Sequence, residues 1–238
     1  MQYDYLLKKA LENINLDYDP ETIEKFEVYF NMVIEWNEKI NLTAIHNEED
    51  FYKKHFIDSL KLFSFEPMKK ASKLIDIGTG AGFPGIPIKL VYNKIEVTLL
   101  DSLKKRVAFL NEVINKLEIK GIKAIHGRAE DLAKDKHYRE IYDIAVSRAV
   151  ASLPLLSEIS LGFTKINGYF IAMKGPQITE ELSISERVIT LMGGKVEDVI
   201  TTEIEESDFK HNLVIIRKIK KTPNDLPRKP GTATNNSL

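Results

Sequence analysis

Leu74-Ile75-Asp76-Ile77-Gly78-Thr79-Gly80-Ala81-Gly82-Phe83-Pro84-Gly85 is the stretch on which the fold of this chain turns. A short apolar run ends in a carboxylate and then breaks into four glycines within eight residues. Apolar periodicity resumes at Ile86, Ile88 and Leu90. The pattern predicts a buried strand, a tight turn and a helix start, the ligand-binding corner of an α/β sheet. Glycine lets such a turn adopt φ > 0 or lets a ligand lie against the main chain. The helix that follows offers unpaired N–H groups and a positive dipole end.

Residues Gly80 to Gly85 also satisfy the dinucleotide pattern G-x-G-x-x-G, so the spacing alone does not choose the ligand. Two details favour S-adenosylmethionine. Asp76 stands two residues before the first glycine, placed to hold a cationic amino group, whereas beside a pyrophosphate it repels. Pro84 removes an N–H from a loop that wraps phosphate with such groups. A glycine-rich turn with no ligand is the plain alternative.

At 238 residues the chain can bury one sizeable core and a small extra subdomain. Its 43% hydrophobic and 29% charged content is that of an ordinary globular protein. No apolar run approaches a membrane span and no signal pattern opens the chain, so no membrane partner and a cytoplasmic location are expected. The absence of cysteine removes disulfides, thiolate metal sites and the thiol nucleophile that pyrimidine C5 methylation commonly uses. The five histidines, at 46, 55, 126, 137 and 211, lack metal-ligand spacing, and no metal is expected. Net charge is −1, but residues 217–238 carry six basic side chains against one acidic, and residues 1–70 nine against fourteen. A basic tail of this kind suits phosphate contact or simply solvation. No long exposed apolar stripe stands out, so a monomer is the default.

The chain divides into a helical subdomain (1–70), an α/β domain (71–220) and a basic tail (221–238). Asp19-Pro20 supplies an N-cap and a proline at the first helical position. Ile23, Phe26, Phe30, Val33 and Ile34 then share a helical face. A second helix carries Phe51, His55, Phe56, Asp58, Ser59 and Leu62; His55 and Asp58, at i,i+3, read first as a surface hydrogen bond and otherwise as part of a substrate cleft. Beyond residue 73 strand patterns (73–77, 95–100, 122–126, 141–147, 168–174, 196–203, 210–219) alternate with helical ones near 84–92, 103–117, 129–136, 152–164 and 177–192. Such alternation predicts a mainly parallel, doubly covered sheet. Only a turn near Glu205–Asp208 separates the last two strands, which predicts an antiparallel end. The expectation is a seven-stranded Rossmann-like methyltransferase of the α/β class with an N-terminal helical extension.

Ligands of such sheets bind at the carboxyl ends of strands. The second strand ends at Asp101-Ser102, where a carboxylate suits a ribose diol. After the third strand, Ala129 leaves room for a flat base and Glu130 can bond the adenine amine or simply complement a helix dipole. The fourth strand ends in Ser147-Arg148-Ala149-Val150, where many amino-group methyltransferases place Asp/Asn-Pro-Pro-aromatic. An exocyclic amine is therefore disfavoured as acceptor, a pyrimidine carbon is disfavoured by the missing cysteine, and guanine N7, which carries no proton, stays attractive. No histidine or paired carboxylate is local to this strand end, so no general base is expected. Arg148 is the candidate catalytic and acceptor-binding residue, or else an ion-pair partner of Asp143 or Glu130. Lys174, Arg228 and Lys229 are candidate phosphate contacts. A small-molecule or protein methyltransferase and a non-catalytic RNA-binding module remain alternatives on the same fold.

Trp36-Asn37-Glu38-Lys39-Ile40-Asn41-Leu42-Thr43, Lys54-His55-Phe56-Ile57-Asp58-Ser59-Leu60 and Asp76 to Gly85, in that order, resemble motifs of the bacterial small-subunit ribosomal RNA methyltransferase G family, also called glucose-inhibited division protein B. So do Asp101 to Arg106, Arg128-Ala129-Glu130, Ser147 to Ala151, Lys174-Gly175 and Pro227-Arg228-Lys229-Pro230-Gly231-Thr232. The resemblance spans nearly the whole chain. It implies methylation of a guanine N7 in 16S rRNA near the decoding centre, on the small ribosomal subunit or an assembly intermediate, with S-adenosylmethionine as donor. It also implies that Gly78, Phe83, Ala129, Glu130 and Arg148 line the cofactor site, beside Asp76, Gly80, Gly82, Asp101 and Ser102 from the residue reading. One departure is Ala233 after Pro230-Gly231-Thr232, where the family usually has proline.

Overall fold

A computed structural model describes residues 2–148 and 151–229 of the chain. The expected strands form one seven-stranded sheet: β1 (Lys73–Ile77), β2 (Glu96–Asp101), β3 (Ile122–His126), β4 (Tyr142–Arg148), β5 (Thr164–Lys174), β6 (Gly194–Glu203) and β7 (Lys210–Lys218). Their order is β3-β2-β1-β4-β5-β7-β6, with every pairing from β3 to β5 parallel and β7 antiparallel to both neighbours. The strand order reverses between β1 and β4, and a crevice opens there at the carboxyl ends.

Alternation along the strands assigns the core. Leu74, Val97, Leu99, Ile144, Val146, Ile171, Leu213 and Ile215 share one cluster with α5 (Gly85–Val91), α6 (Lys104–Lys116) and the N-terminal helices. Ile75, Ile77, Leu100, Ala145, Phe170, Ala172, Val214 and Ile216 face the other way, toward α7 (Ala129–Leu132), α8 (Leu153–Ser160) and α9 (Thr179–Leu191). The N-terminal segment opens with α1 (Asp4–Asn13) and α2 (Pro20–Asn37), which starts as expected: the Asp19 carboxylate accepts from the Thr22 N–H at 2.7 Å. Leu7, Phe26, Tyr29, Phe51 and Phe56 from this segment sit in the same cluster as the sheet residues, so the two share a core.

Several elements differ from their sequence reading; α8, for one, ends at Ser160 rather than 164. The helix expected over 51–62 is a composite of α3 (Glu48–Phe51), a π turn (Tyr52–Ile57), α4 (Asp58–Leu60) and a 3₁₀ turn (Lys61–Ser64). This irregular run buries Lys53 and Asp58, and partners found inside the fold offset the loss of regular backbone geometry. β5 starts at Thr164 rather than 168 because a bulge opposite Tyr142 and Ile144 lets pairing resume further on. α7 ends at Leu132 rather than 136, and the turns beyond it place Arg139 against the tail. That guanidinium donates to the carbonyls of Ala133, Thr222, Pro223 and Leu226 at 2.8–2.9 Å. Pro230-Gly231-Thr232, Ala149 and Val150, singled out above, lie outside the described residues.

Candidate active site

The glycine corner follows β1 directly. Gly78, Gly80 and Gly82 have φ of +69°, +62° and +103°, which only glycine adopts freely. A Cβ at Gly82 would lie 2.5 Å from the Ile86 side chain and 2.6 Å from the Tyr29 hydroxyl, and one at Gly85 2.3 Å from Leu99. These two glycines are therefore demanded by packing within the protein. A Cβ at Gly80 would meet nothing within 4 Å, so packing within the protein does not demand that glycine.

Asp76 is fully buried beneath this loop. Its Oδ2 accepts from the Thr79 hydroxyl at 2.7 Å and the Gly85 N–H at 2.8 Å, while Oδ1 is buried with no partner. Burial pushes its pKa up to about 6. The carboxylate thus fastens the turn through Oδ2 and leaves Oδ1 without a partner in the chain. Asp101, at the end of β2, accepts from the N–H groups of Gly80 (3.0 Å) and Leu103 (2.9 Å). It lines a cavity of about 210 Å³ together with Ile77, Gly78, Ser102, Ala129, Glu130 and Leu156. Apolar walls, a carboxylate at a strand end and an orphaned buried carboxylate oxygen fit the base, ribose and amino group of S-adenosylmethionine. A larger cavity of about 280 Å³ opens beside Lys73, Glu96 and Lys123 at the opposite, amino ends of the strands, away from this corner.

Phe83 and Arg148 lie apart from that cavity. Phe83 is buried among Tyr29, Phe51 and Phe56, and its ring stacks on His55 with centroids 4.5 Å apart and planes 4° from parallel. Arg148, at the end of β4, sits over the Phe83 ring at 5.2 Å. It donates through Nη1 to the Lys54 carbonyl and Asp58 Oδ2, and through Nη2 to His55 Nδ1, each at 3.0 Å. The surface hydrogen bond expected for His55 and Asp58 is corrected: Asp58 is fully buried, and both side chains converge on Arg148. The Arg148 counter-ion is Asp58, not Asp143, which pairs with Lys165, nor Glu130. Nor is the end of β4 without histidine or carboxylate. His55 and Asp58 arrive from the N-terminal segment and His211 from β7, with His211 Nδ1 2.6 Å from Asp58 Oδ1. Sequence spacing carried no sign of this meeting, since the partners lie some 90 to 153 positions apart. His55 still offers no base: burial, then the Arg148 charge, lower its pKa to about 3.

Two of the three remaining candidates, Lys174 and Arg228, are engaged within the fold. Lys174 donates to the Ala151 carbonyl at 2.9 Å and pairs with Glu181. Arg228 grips Glu158, on α8, through Nε at 3.0 Å and Nη2 at 2.7 Å. Lys229 is exposed. Exposed cations that the sequence reading did not name as phosphate contacts, Lys104, Lys105 and Arg128, stand where α6 and α7 begin, and Arg128 also lines the cavity. No group of three or more His, Cys, Asp or Glu among the described residues is arranged to hold a metal, and no helix among them is long and apolar enough to cross a membrane.

Sheet order, glycine corner and strand-end carboxylates define the class: a Rossmann-like S-adenosylmethionine-dependent methyltransferase. Solved structures agree in fold. A SAM-dependent methyltransferase from Aquifex aeolicus superposes with a TM-score of 0.51 at 21% identity, over 71% of this chain and 93% of its own. The fibrillarin pre-rRNA processing protein of Methanococcus jannaschii gives 0.50 at 21% identity, over 65% and 70%. Sequence is more particular. The family model described as rRNA small subunit methyltransferase G matches residues 22–217. Proteins named ribosomal RNA small subunit methyltransferase G are 52% identical in Clostridium novyi (99% of this chain, 97% of theirs) and 52% in Clostridium perfringens (100% of both). The chain belongs to the rRNA small subunit methyltransferase G family.

Proposed function

We propose that this protein transfers the methyl group of S-adenosylmethionine to N7 of a guanine in 16S rRNA of the small ribosomal subunit, in the cytoplasm. The observation that carries the acceptor is the end of β4. An arginine stands there, fixed by Asp58 and by a neutral His55, while His211, the other histidine nearby, is tied through Nδ1 to Asp58. Guanine N7 attacks with a lone pair and has no proton to lose, so this chemistry asks for alignment rather than a base.

When bound, S-adenosylmethionine supplies a methyl group made electrophilic by its sulfonium centre. The chain's own residues do the rest. Asp101 would take the ribose hydroxyls, Ala129 and Glu130 the adenine, and Asp76 Oδ1 the amino group; what supports this set is that Asp101, Ala129 and Glu130 line one cavity and that Asp76 Oδ1 has no partner in the chain. Arg148 keeps its Nε–H and one Nη2–H beyond its three bonds to the protein, donors suited to guanine O6 or a phosphate. Lys229, Lys104, Lys105 and Arg128 are exposed and suited to RNA phosphates, whereas the pairing of Lys174 and Arg228 supports roles in holding the walls of the site.

The test is transfer of labelled methyl from the donor to isolated small subunits, with the position read by borohydride and aniline cleavage at 7-methylguanosine. Label confined to rRNA and cleavage at a single guanine is expected. Label on protein, or on rRNA without cleavage, overturns the acceptor.

A further inference from the structure

We propose that Asp58 is a positioning residue for methyl transfer, which holds the Arg148 guanidinium in place and thereby makes the N-terminal helical segment part of the reaction centre. The proposal rests on the reading of Arg148 as an acceptor-side group. Its physical basis is the way the buried charges are spent. Asp58 is fully enclosed, and each of its oxygens has one partner: Oδ1 meets His211 Nδ1 at 2.6 Å and Oδ2 accepts from Arg148 at 3.0 Å. The partners come from β7 and β4, so a single carboxylate ties the helical segment to two strands at their ligand-facing end.

His55 completes the bracket. Its Nδ1 accepts from Arg148, so its proton sits on Nε2, which donates to the Thr43 hydroxyl at 2.8 Å. A protonated ring would turn an acceptor into a donor facing a guanidinium, and burial with the Arg148 charge holds the ring neutral. The same ring stacks on Phe83 of the glycine corner. The guanidinium therefore has one aromatic face beneath it, three acceptors around it and two N–H groups left over.

A buried ion pair is a weak device for stability alone, because apolar side chains of similar size pack as well or better. What a buried carboxylate gives that leucine cannot is a fixed counter-charge, so that Arg148 holds its pose before any RNA arrives. That pre-organisation is what alignment-limited chemistry requires.

The test compares Asp58→Asn and Asp58→Glu with the parent, and closes a cycle with Arg148→Lys. Three readouts are taken: kcat with the KM for the donor, the melting temperature, and the guanidinium 15N–1H signals of Arg148, assigned by their loss in Arg148→Lys. We expect Asp58→Asn to lower kcat by about 100-fold with the donor KM changed less than about threefold. Asp58→Glu should recover part of the loss. In the Arg148→Lys background Asp58→Asn should cost far less, because its lever is gone. The parent should show resolved, slowly exchanging Arg148 Nη–H signals that collapse in Asp58→Asn. A folded Asp58→Asn with unchanged kcat, or effects that multiply fully with those of Arg148→Lys, overturns the proposal. Should Asp58→Asn fail to fold, His211→Gln, which leaves the carboxylate and removes its second tether, serves instead. Broadened Arg148 signals with a lowered kcat then support the proposal, and unchanged ones overturn it. If the parent shows no transfer to rRNA, the acceptor reading has failed, while the guanidinium signals still decide whether Asp58 fixes Arg148.

Discussion

At the scale of single residues, Asp76 ties loop geometry to ligand charge. Its pKa, raised to about 6 from 3.8 in an open chain, reflects the cost that burial puts on the ionised form. An ammonium group placed against Oδ1 would offset that penalty, and donor affinity would then follow the ionised fraction. Between pH 7.5 and 5, below the titration of the donor's own amine at about 8, we expect the donor Kd to be flat down to about pH 6 and then to rise about tenfold per unit. Asp76→Asn should bind weakly with no such slope; calorimetric titration across that range checks both, and a parent without the slope removes Asp76 from the amino-group site. The same residue bears on folding with the opposite sense. Because the folded pKa lies above the unfolded one, the folded protein binds the extra proton, and stability from this group falls as pH rises from 4 to 6, by about 3 kcal/mol at most. The two middle glycines make a second contrast. Gly82→Ala drives a methyl group into Ile86 and Tyr29 at φ +103° and should lower stability by about 2 kcal/mol or more. Gly80→Ala meets open space at φ +62°, an αL conformation that costs about 1 kcal/mol. It should melt within a few degrees of the parent yet bind the donor at least about tenfold more weakly; melting scans with donor titrations separate the two, and full affinity in Gly80→Ala would move the ligand away from that glycine.

At the scale of elements, the tail and α8 behave as one unit. Lys218 is buried, donates to the Leu161 carbonyl at 2.6 Å and reaches Glu140 and Thr222. Arg139 gathers three tail carbonyls, and Arg228 closes on Glu158. Glu158 is nearly inaccessible, and α8, which carries it, also supplies Leu155, Leu156 and Ile159 to the donor cavity. Arg228→Ala leaves a buried carboxylate without its cation and should cost about 3 kcal/mol, the range for breaking a buried pair. Adding Glu158→Gln should return part of that cost and part of the donor affinity. Denaturant melts with donor titrations test this; a harmless Arg228→Ala would mean that the tail does not brace the cavity wall. This is also where sequence reading reached its limit. Lys174 ends β5 and Arg228 lies in the tail, and spacing cannot say that Glu181 and Glu158 fold against them. The strands around the corner were legible because buried parallel strands are short apolar runs between turn residues, and the corner was legible because few other uses put glycine at 78, 80, 82 and 85. The π turn was not, since its cause is a set of partners distant in sequence.

At the scale of the whole molecule, the boundary drawn near residue 70 marks a change of local pattern and not a gap in packing. Tyr29 of α2 donates its hydroxyl to the Ala81 carbonyl within the glycine corner, and Phe83 of that corner stacks on His55 of the helical segment. Local periodicity reports which face of an element is apolar but not which partner covers it, so the helical segment read as an appendage although it shares the sheet's core. Shared burial has a thermodynamic consequence. If the segment covers one face of the sheet, neither part keeps its buried apolar surface without the other, and they unfold together. The single tryptophan gives a local reporter of that joint: Trp36, on α2, packs on Phe109 of α6 with ring centroids 5.5 Å apart. Far-ultraviolet circular dichroism reports the whole chain, dominated by the sheet and the helices around it. We expect the tryptophan fluorescence and circular dichroism transitions in urea to coincide in midpoint and slope, the mark of one cooperative unit. A fluorescence transition at distinctly lower urea would show residues 1–70 detaching from an intact sheet, and the Asp58–Arg148 tie would then be too weak to hold the reaction centre together.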